Sequence, residues 1–349
     1  MREMMRLLGS FRWLLTITFI ASAAFAQAPT TTLLVLAKSD NTVAVVDPAT
    51  LQVLARIPAG PDPHEIIASD DGKLAYISNY GGSDSTLNTI SVVDLVARKP
   101  LPAIDLGALR STHGLAFAGG KLYFTAETNK VIGRYDPATQ RVDWVLGTGQ
   151  DRTHMIAVSK SLDRIVTSNV NSATISIIEQ ASPPSGGFNP PGGPRQTWEV
   201  TNVPAGRGAE GFDISPDGKE IWAANAHDAT VTVIDAATRK ATETFPIPVK
   251  GANRLKFTPD GKRVLISGLG ARQGDSSLVV IDAATHKEVK QLNLGGGAAG
   301  ILMAPDGSRA YVAVSSADKI AVVDLKTLEV TGQVDAGKQP DGLAWAVRK

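Results

Sequence analysis

Apolar residues along this chain fall in short alternating runs rich in Val, Ile, Tyr and Trp, and nowhere at the spacing of an amphipathic helix. Bounded by Gly, Pro, Asn and Asp, such runs predict strands. Four follow one another at Gly211 to Ser215, Glu220 to Ala224, Thr230 to Asp235 and Ala241 to Ile247. Two polar punctuation marks then recur. One is a tight turn between two apolar runs, at Asp71-Gly72-Lys73, Asp217-Gly218-Lys219, Asp260-Gly261-Lys262 and Asp306-Gly307-Ser308. The other is an acidic residue closing a strand: Asp47, Asp94, Asp136, Glu179, Asp235, Asp282 and Asp324, at intervals of 47, 42, 43, 56, 47 and 42 residues.

A period of roughly 40–50 residues with four strands per unit predicts an all-β fold, a β-propeller of four-stranded antiparallel blades. One such sheet cannot bury both faces, so the blades must stack and the ring must close. Six units start near Pro63, Thr112, Thr153, Ala209, Ala252 and Ala298. A seventh is split. Pro340 to Ala346 reads as an innermost strand with nothing after it, and Thr32 to Gly60 as three strands with no innermost strand before them. The expectation is a single seven-bladed domain over 27–349, with both chain ends sharing blade one. The acids that close strands are expected to cap their own turns. Tyr76, Trp222 and Tyr311 are expected to pack between blades, and His286 to be solvated.

The first 26 residues break the pattern. Arg2, Arg6 and Arg12 lead into an apolar run from Trp13 to Ile20 and a small-residue end, Ala24-Phe25-Ala26. These are the parts of a secretory signal peptide. The run is shorter than the roughly 20 residues that span a bilayer. The expectation is an exported protein, periplasmic or secreted, with no membrane span after cleavage. Removing 1–26 leaves 32 basic and 33 acidic residues from the original 35 and 34. That balance argues against a nucleic-acid partner held by charge. There is no Cys, hence no disulfide, thiolate metal site or cysteine nucleophile.

Asp-Gly-Lys-Leu-Ala-Tyr-Ile-Ser-Asn at 71–79, Pro-Asp-Gly-Lys-Glu-Ile-Trp-Ala-Ala-Asn at 216–225 and Pro-Asp-Gly-Ser-Arg-Ala-Tyr-Val-Ala at 305–313 resemble YVTN-type β-propeller repeats, of the YncE-like and lactonase-like kind. The resemblance spans the mature chain. It implies the fold, and it admits lactonases, haem d1-type domains and exported binding proteins alike. Blade three, around Phe124 to Arg134, also resembles a streptogramin-lyase-type blade.

Aligning the blades on their turns places His64, His113, His154, Glu210, Asn253, Ala299 and Asp341 at one position, the start of the innermost strand. The residues after them are Glu65, Gly114, Met155, Gly211, Arg254, Gly300 and Gly342. The ends of the second strands supply Asn79, Glu127, Asn169 and Asn225, with His227 just beyond. Together these predict a polar ring at one mouth of the axial channel. The lead reading is a site for a small molecule or an extended polymer on a monomeric protein. A lactonase- or lyase-type enzyme is the alternative, with a His as general base and Arg254 orienting a substrate carboxylate. It includes one divalent metal ion on His64, His113 and His154, since N and O donors suit a transition metal where no thiolate exists. A third reading is a protein-interaction scaffold with a silent axial ring. Two loops on that face, Gly81 to Ser85 and Gly268 to Ser276, are placed to gate it. The Pro/Gly-rich insertion 182–194 falls on the opposite face.

Overall fold

The computed structural model describes residues 30–81, 87–181, 197–272 and 274–349. The expected signal segment and the 182–194 insertion lie outside them, as do most of the Gly81 to Ser85 loop and one residue of the Gly268 to Ser276 loop. Among the described residues the strands form seven four-stranded antiparallel sheets, and helix is confined to two single 3-10 turns. Among the described residues no helix is long and apolar enough to cross a membrane. Blade one is the split blade. Pro340–Val347 pairs antiparallel with Thr31–Ala37, joining Thr31 to Val347 and Val35 to Leu343.

The other innermost strands are Pro63–Ala68, Thr112–Ala118, Thr153–Val158, Ala209–Ile214, Ala252–Phe257 and Ile301–Met303. The last begins later than the expected Ala298. Backbone pairing nevertheless reaches back, from Ala299 N–H to Ala313 and from Ala313 N–H to Gly300.

Burial explains the strand grammar. Second and third strands are apolar on both faces because each face meets a neighbouring blade, as in Leu74–Asn79 and Thr89–Asp94. Fourth strands are outer edges and stay polar, as in Lys240–Pro246. Each of the seven interfaces holds its own apolar cluster. Between blades five and six, Trp222 is fully buried, with Phe245 and Phe257 edge-on at 5.6 and 5.4 Å. Tyr76 and Tyr311 are buried in the same way. His286 is a correction to the expected solvated position. It stacks on Phe245 at 5.1 Å, stands edge-on to Trp222 and meets Glu243 through Nδ1 at 2.8 Å.

The punctuation does what its chemistry suggests. Asp71 accepts from Ser69 Oγ and from the Lys73 N–H, which pull its carboxyl down to about 2. Gly72 supplies the left-handed turn residue at φ +66°. Asp47, Asp94, Asp235, Asp282 and Asp324 each accept N–H groups from the following turn.

The ring tightens where innermost strands meet. A Cβ on Gly300 would lie 2.2 Å from the Asp341 carbonyl oxygen, and one on Gly211 2.4 Å from that of Asn253. Gly114 and Gly342 face the next blade in the same way, while blades two, four and six carry Glu65, Met155 and Arg254 there. Small and large residues thus alternate around most of the axis, and the glycines let adjacent backbones approach. Gly300→Ala is expected to cost about 1–3 kcal/mol, the usual penalty of overpacking. Urea denaturation reads this as a lowered midpoint, and an unchanged midpoint would refute the tight approach.

Candidate functional site

A β-bulge aims the axial side chains. Between innermost and second strand the register runs from Pro63 opposite Asn79 to Ile66 opposite Ile77, so one extra residue sits on the inner strand. The same shift occurs at Thr112/Leu115, Thr153/Ile156, Ala209/Phe212 and Ala252/Leu255. The first bulged residue is the axial one: His64, His113, His154, Glu210 or Asn253. In four blades a hydroxyl on the second strand pins the next residue, as Ser78 Oγ takes the Glu65 N–H at 2.9 Å and Ser267 Oγ the Arg254 N–H at 3.0 Å. Ser267 then donates to the Ala299 carbonyl of the next blade at 2.6 Å, and Thr125 to that of His154 at 2.8 Å. These clips tie each bulge to its neighbour.

The axial residues surround a cavity of about 340 Å³. Lys38, His64, Tyr80, His113, Arg152, His154, Glu210, Asn253, Arg254 and Asp341 line one side of it, and Leu269, Ala299, Ser315, Ser316 and Gln339 complete the wall. All seven blades contribute.

His154 is clamped between carboxylates. Its Nδ1–H donates to Glu127, and Glu210 Oε1 lies 2.8 Å from Nε2 as a contact of charges rather than an aligned hydrogen bond. Burial opposes the imidazolium, yet Glu210 and Glu127 outweigh it and raise the His154 pKa. Burial likewise opposes the Glu210 carboxylate, and His154, Arg254 and Arg152 outweigh it and hold that carboxyl far below its usual range. Both directions describe one ionised pair. Tyr80 donates its hydroxyl to Glu127 at 2.6 Å. Burial, and next the Glu127 charge, push the Tyr80 phenol well up, so it stays a donor.

His113 is different. It is 3% exposed, and its ring packs 3.7 Å from that of His154, 5.2 Å from His64 and 5.3 Å from Tyr80. Its Nδ1 is buried without a hydrogen-bond partner among the described residues. Burial, then the neighbouring His154, His64, Arg254 and Arg152, drive its pKa well below the ordinary imidazole value. At neutral pH it is an uncharged ring with an unused nitrogen.

Arg254 reaches across the axis. Its Nη2 donates to Glu65 at 2.5 Å, joining blade six to blade two, and its Nη1 lies 3.2 Å from Asn253 Oδ1 and 4.0 Å from Glu210. Arg152, in blade four, lies 3.6 Å from Glu127 and 3.8 Å from Glu210, beyond hydrogen-bond length. Lys38 meets Asp341 at 3.1 Å, and His64 meets Asp62 at 3.1 Å.

Of the residues expected from sequence, His64, His113, His154, Glu210, Asn253, Arg254 and Asp341 line the cavity, with Glu65 and Glu127 one layer behind. Four do not belong. Asn79, Asn169 and Asn225 are fully buried and stitch their own blades, Asn79 to the Ala59 and Pro61 carbonyls, Asn169 to Thr174 and Ser176, Asn225 to Thr230 and Thr232. His227 is exposed in the turn beyond Asn225, outside the cavity.

The metal set does not assemble either. Among the described residues no group of three or more His, Asp or Glu side chains is placed to hold an ion. Both His154 nitrogens face carboxylates, His64 Nε2 faces Asp62, and the His113 and His154 rings lie against each other at a 32° tilt. Sequence reasoning missed Lys38, Tyr80, Arg152, Leu269, Ser315, Ser316 and Gln339. A signal for Arg152 and Gln339 existed. Asp62, Ser111, Arg152, Gly208, Gly251 and Gln339 each precede an axial residue by two, and all sit at positive φ.

The structure therefore defines a seven-bladed β-propeller with an ionic pocket on its axis. Residues 194–305 match the family model of the YNCE-like beta-propeller, and the repeats on either side continue the same blade architecture. No curated protein sequence matches the chain. Solved structures share the fold at low identity. A functionally unknown protein from Desulfotomaculum acetoxidans aligns with a TM-score of 0.72 and 12% identity, covering 91% of this chain and 99% of its own. A candidate 6-phosphogluconolactonase from Bacteroides uniformis gives 0.67 and 16%, covering 90% and 99%. Hydrazine synthase from Kuenenia stuttgartiensis gives 0.63 and 18%, covering 81% and 89%. Likeness at these identities carries fold and nothing of chemistry.

Proposed function

We propose that this protein is an exported binding protein that holds a small polar molecule in the axial pocket. One observation carries the reading. His113 is almost completely buried, yet no group among the described residues satisfies its Nδ1. Buried polar atoms are nearly always hydrogen-bonded, and an orphan costs about 1–3 kcal/mol. The ring stays compact by hydrophobic and hydroxyl packing between blades, so nothing in the fold demands this cost at the axis. His113 lines the cavity, so a bound molecule that seats against the ring and turns it would supply the missing partner. At about 340 Å³ the cavity falls at the lower end of the roughly 300–1,000 Å³ typical of small-molecule pockets.

The test pairs stability with occupancy. His113→Leu removes an unsatisfied polar atom, so the melting temperature is expected to hold or rise. Small molecules retained by protein isolated from its native compartment, detected by native mass spectrometry, are expected to fall in occupancy as their affinity drops about tenfold, the worth of one hydrogen bond of roughly 1.4 kcal/mol. A variant that keeps both fold and ligand would overturn the reading, and so would one that unfolds, by making His113 structural.

A second reading has one observation in its favour. A neutral imidazole with an unused nitrogen beside Arg152 and Tyr80 is equipped to accept a proton from a bound substrate. That suits the lactonase- or lyase-type alternative, and a fold-level neighbour is a candidate 6-phosphogluconolactonase. Chemical change of the retained molecule, followed by NMR and lost in His113→Leu, separates enzyme from binder.

A further inference from the structure

The layering of charge around the pocket points to its ligand class, and this step rests on the binding reading above. The cavity wall itself carries the cationic groups Lys38, Arg152, Arg254 and the imidazolium of His154, against two carboxylates, Glu210 and Asp341. The carboxylates that balance this excess stand behind the wall. Glu65 lies beyond Arg254, and Glu127 beyond His154 and Arg152. Within the wall the cations are also the more exposed: the side chains of Arg152 and Lys38 are 33% and 29% exposed, whereas Glu210 and Asp341 are 12% and 10%. Outside the wall Asp62 is equally open at 30%, and it is paired with His64.

Arg152 is the group with capacity to spare. Its distances of 3.6 and 3.8 Å to Glu127 and Glu210 leave its planar fork without a bidentate partner, while Arg254 is committed to Glu65. A guanidinium in that state suits the paired oxygens of a carboxylate or phosphate. His113 of blade three, whose ring packs at a tilt against His154 of blade four, stands ready to accept from a hydroxyl. The far wall, Leu269, Ala299, Ser315 and Ser316, is uncharged.

We propose that the axial pocket selects a small hydroxylated anion, its carboxylate or phosphate oxygens on the Arg152 guanidinium and a hydroxyl donating to His113. Anion and hydroxyl are then read by different blades, four and three respectively, which fixes the molecule's orientation as well as its charge.

Four hexose probes of one ring size test this by isothermal titration calorimetry at fixed ionic strength: glucuronate, glucose 6-phosphate, glucose and glucosamine. The expected result is that one or both anions bind at least tenfold more tightly than glucose, and that glucosamine is weakest. Comparison of the two anions decides between a carboxylate and a phosphate. Arg152→Gln is expected to erase the preference for the anion, and Arg152→Lys to restore part of it, with the melting temperature of each variant confirming the fold. Binding of glucose or glucosamine in preference to the anions would overturn the charge assignment while leaving the binding reading intact. So would an anion preference indifferent to Arg152→Gln. If none of the four binds, the inference and the reading beneath it both fail.

Discussion

Deleting residues 340–349 is expected to abolish the folded ring rather than loosen one end of it. The innermost strand of blade one is supplied only by Pro340–Val347, and its loss strips Thr31–Ala37 of its ladder from Thr31 to Ala37. Buried Ala344 and Ala346 leave the cluster between blades one and two, and Leu343 and Trp345 leave the cluster between blades seven and one. Trp345 also gives up its hydrogen bond to the Met303 carbonyl at 2.7 Å. Two interfaces fail together because each blade face is buried only by its neighbour. The combined loss is expected to exceed about 5 kcal/mol, a large fraction of ordinary domain stability. Circular dichroism melts and limited proteolysis of the truncated chain check it. A synthetic peptide of residues 340–349 is expected to recover structure by adding the missing strand. A truncated protein that melts with its parent would refute closure by the chain ends.

The same strand shows how much the sequence could say. Closure was legible because an innermost strand at 340–346 lacked successors and three strands at 32–60 lacked a predecessor. Repeats also made the axial position legible, since seven blades superposed on their turns bring His64, His113, His154, Glu210, Asn253 and Asp341 into register. Register along a strand does not tell which way a side chain points. Asn79, Asn169 and Asn225 end their strands near the axis but turn into their own blades, where third-strand hydroxyls and loop carbonyls claim their amides. Glu127 is not at the matching place, which Ala126 holds opposite Thr112; one residue further on, it opens a 3-10 turn and faces His154. Lys38 and Tyr80 share the register of Glu127, one residue past the end of the second strand, as do Leu269 and Ser315, so aligning the blades one residue further along brings four more wall residues into line.

The metal expectation failed on the same distinction between shared position and shared direction. Three histidines in consecutive blades occur at one register, but each bulge is answered locally. Asp62 takes His64, Glu127 and Glu210 take His154, and His113 is left between two rings. Counting carboxylates around each ring, which the alignment of single positions could not do, is what separates a clamp from a ligand set.

The ion pair across the axis gives a final and sharper expectation. Arg254 and Glu65 belong to blades six and two, their side chains are 9% and 15% exposed, and they meet at 2.5 Å. For Arg254, burial works against the charge, and Glu65, Asp341 and Glu210 outweigh it, so its pKa is raised and the guanidinium remains charged. Glu65→Leu would leave that cation buried beside Glu210 at 4.0 Å alone on its near side. Arg254→Met would leave Glu65 without its partner. Each single change is expected to cost about 3–5 kcal/mol, the usual consequence of stranding one member of a buried pair. The double variant, Glu65→Leu with Arg254→Met, strands neither, and its stability is expected to lie within about 1.5 kcal/mol of the parent because the two new side chains approximate the volume removed. Urea denaturation of the four proteins forms a double-mutant cycle, and a coupling of several kcal/mol is the expected reading. Additive losses would mean that the two charges act separately, each on its own blade. In that case the axis would be held only by the glycine contacts between innermost strands, and the pocket floor would not depend on a bond from one side of the ring to the other.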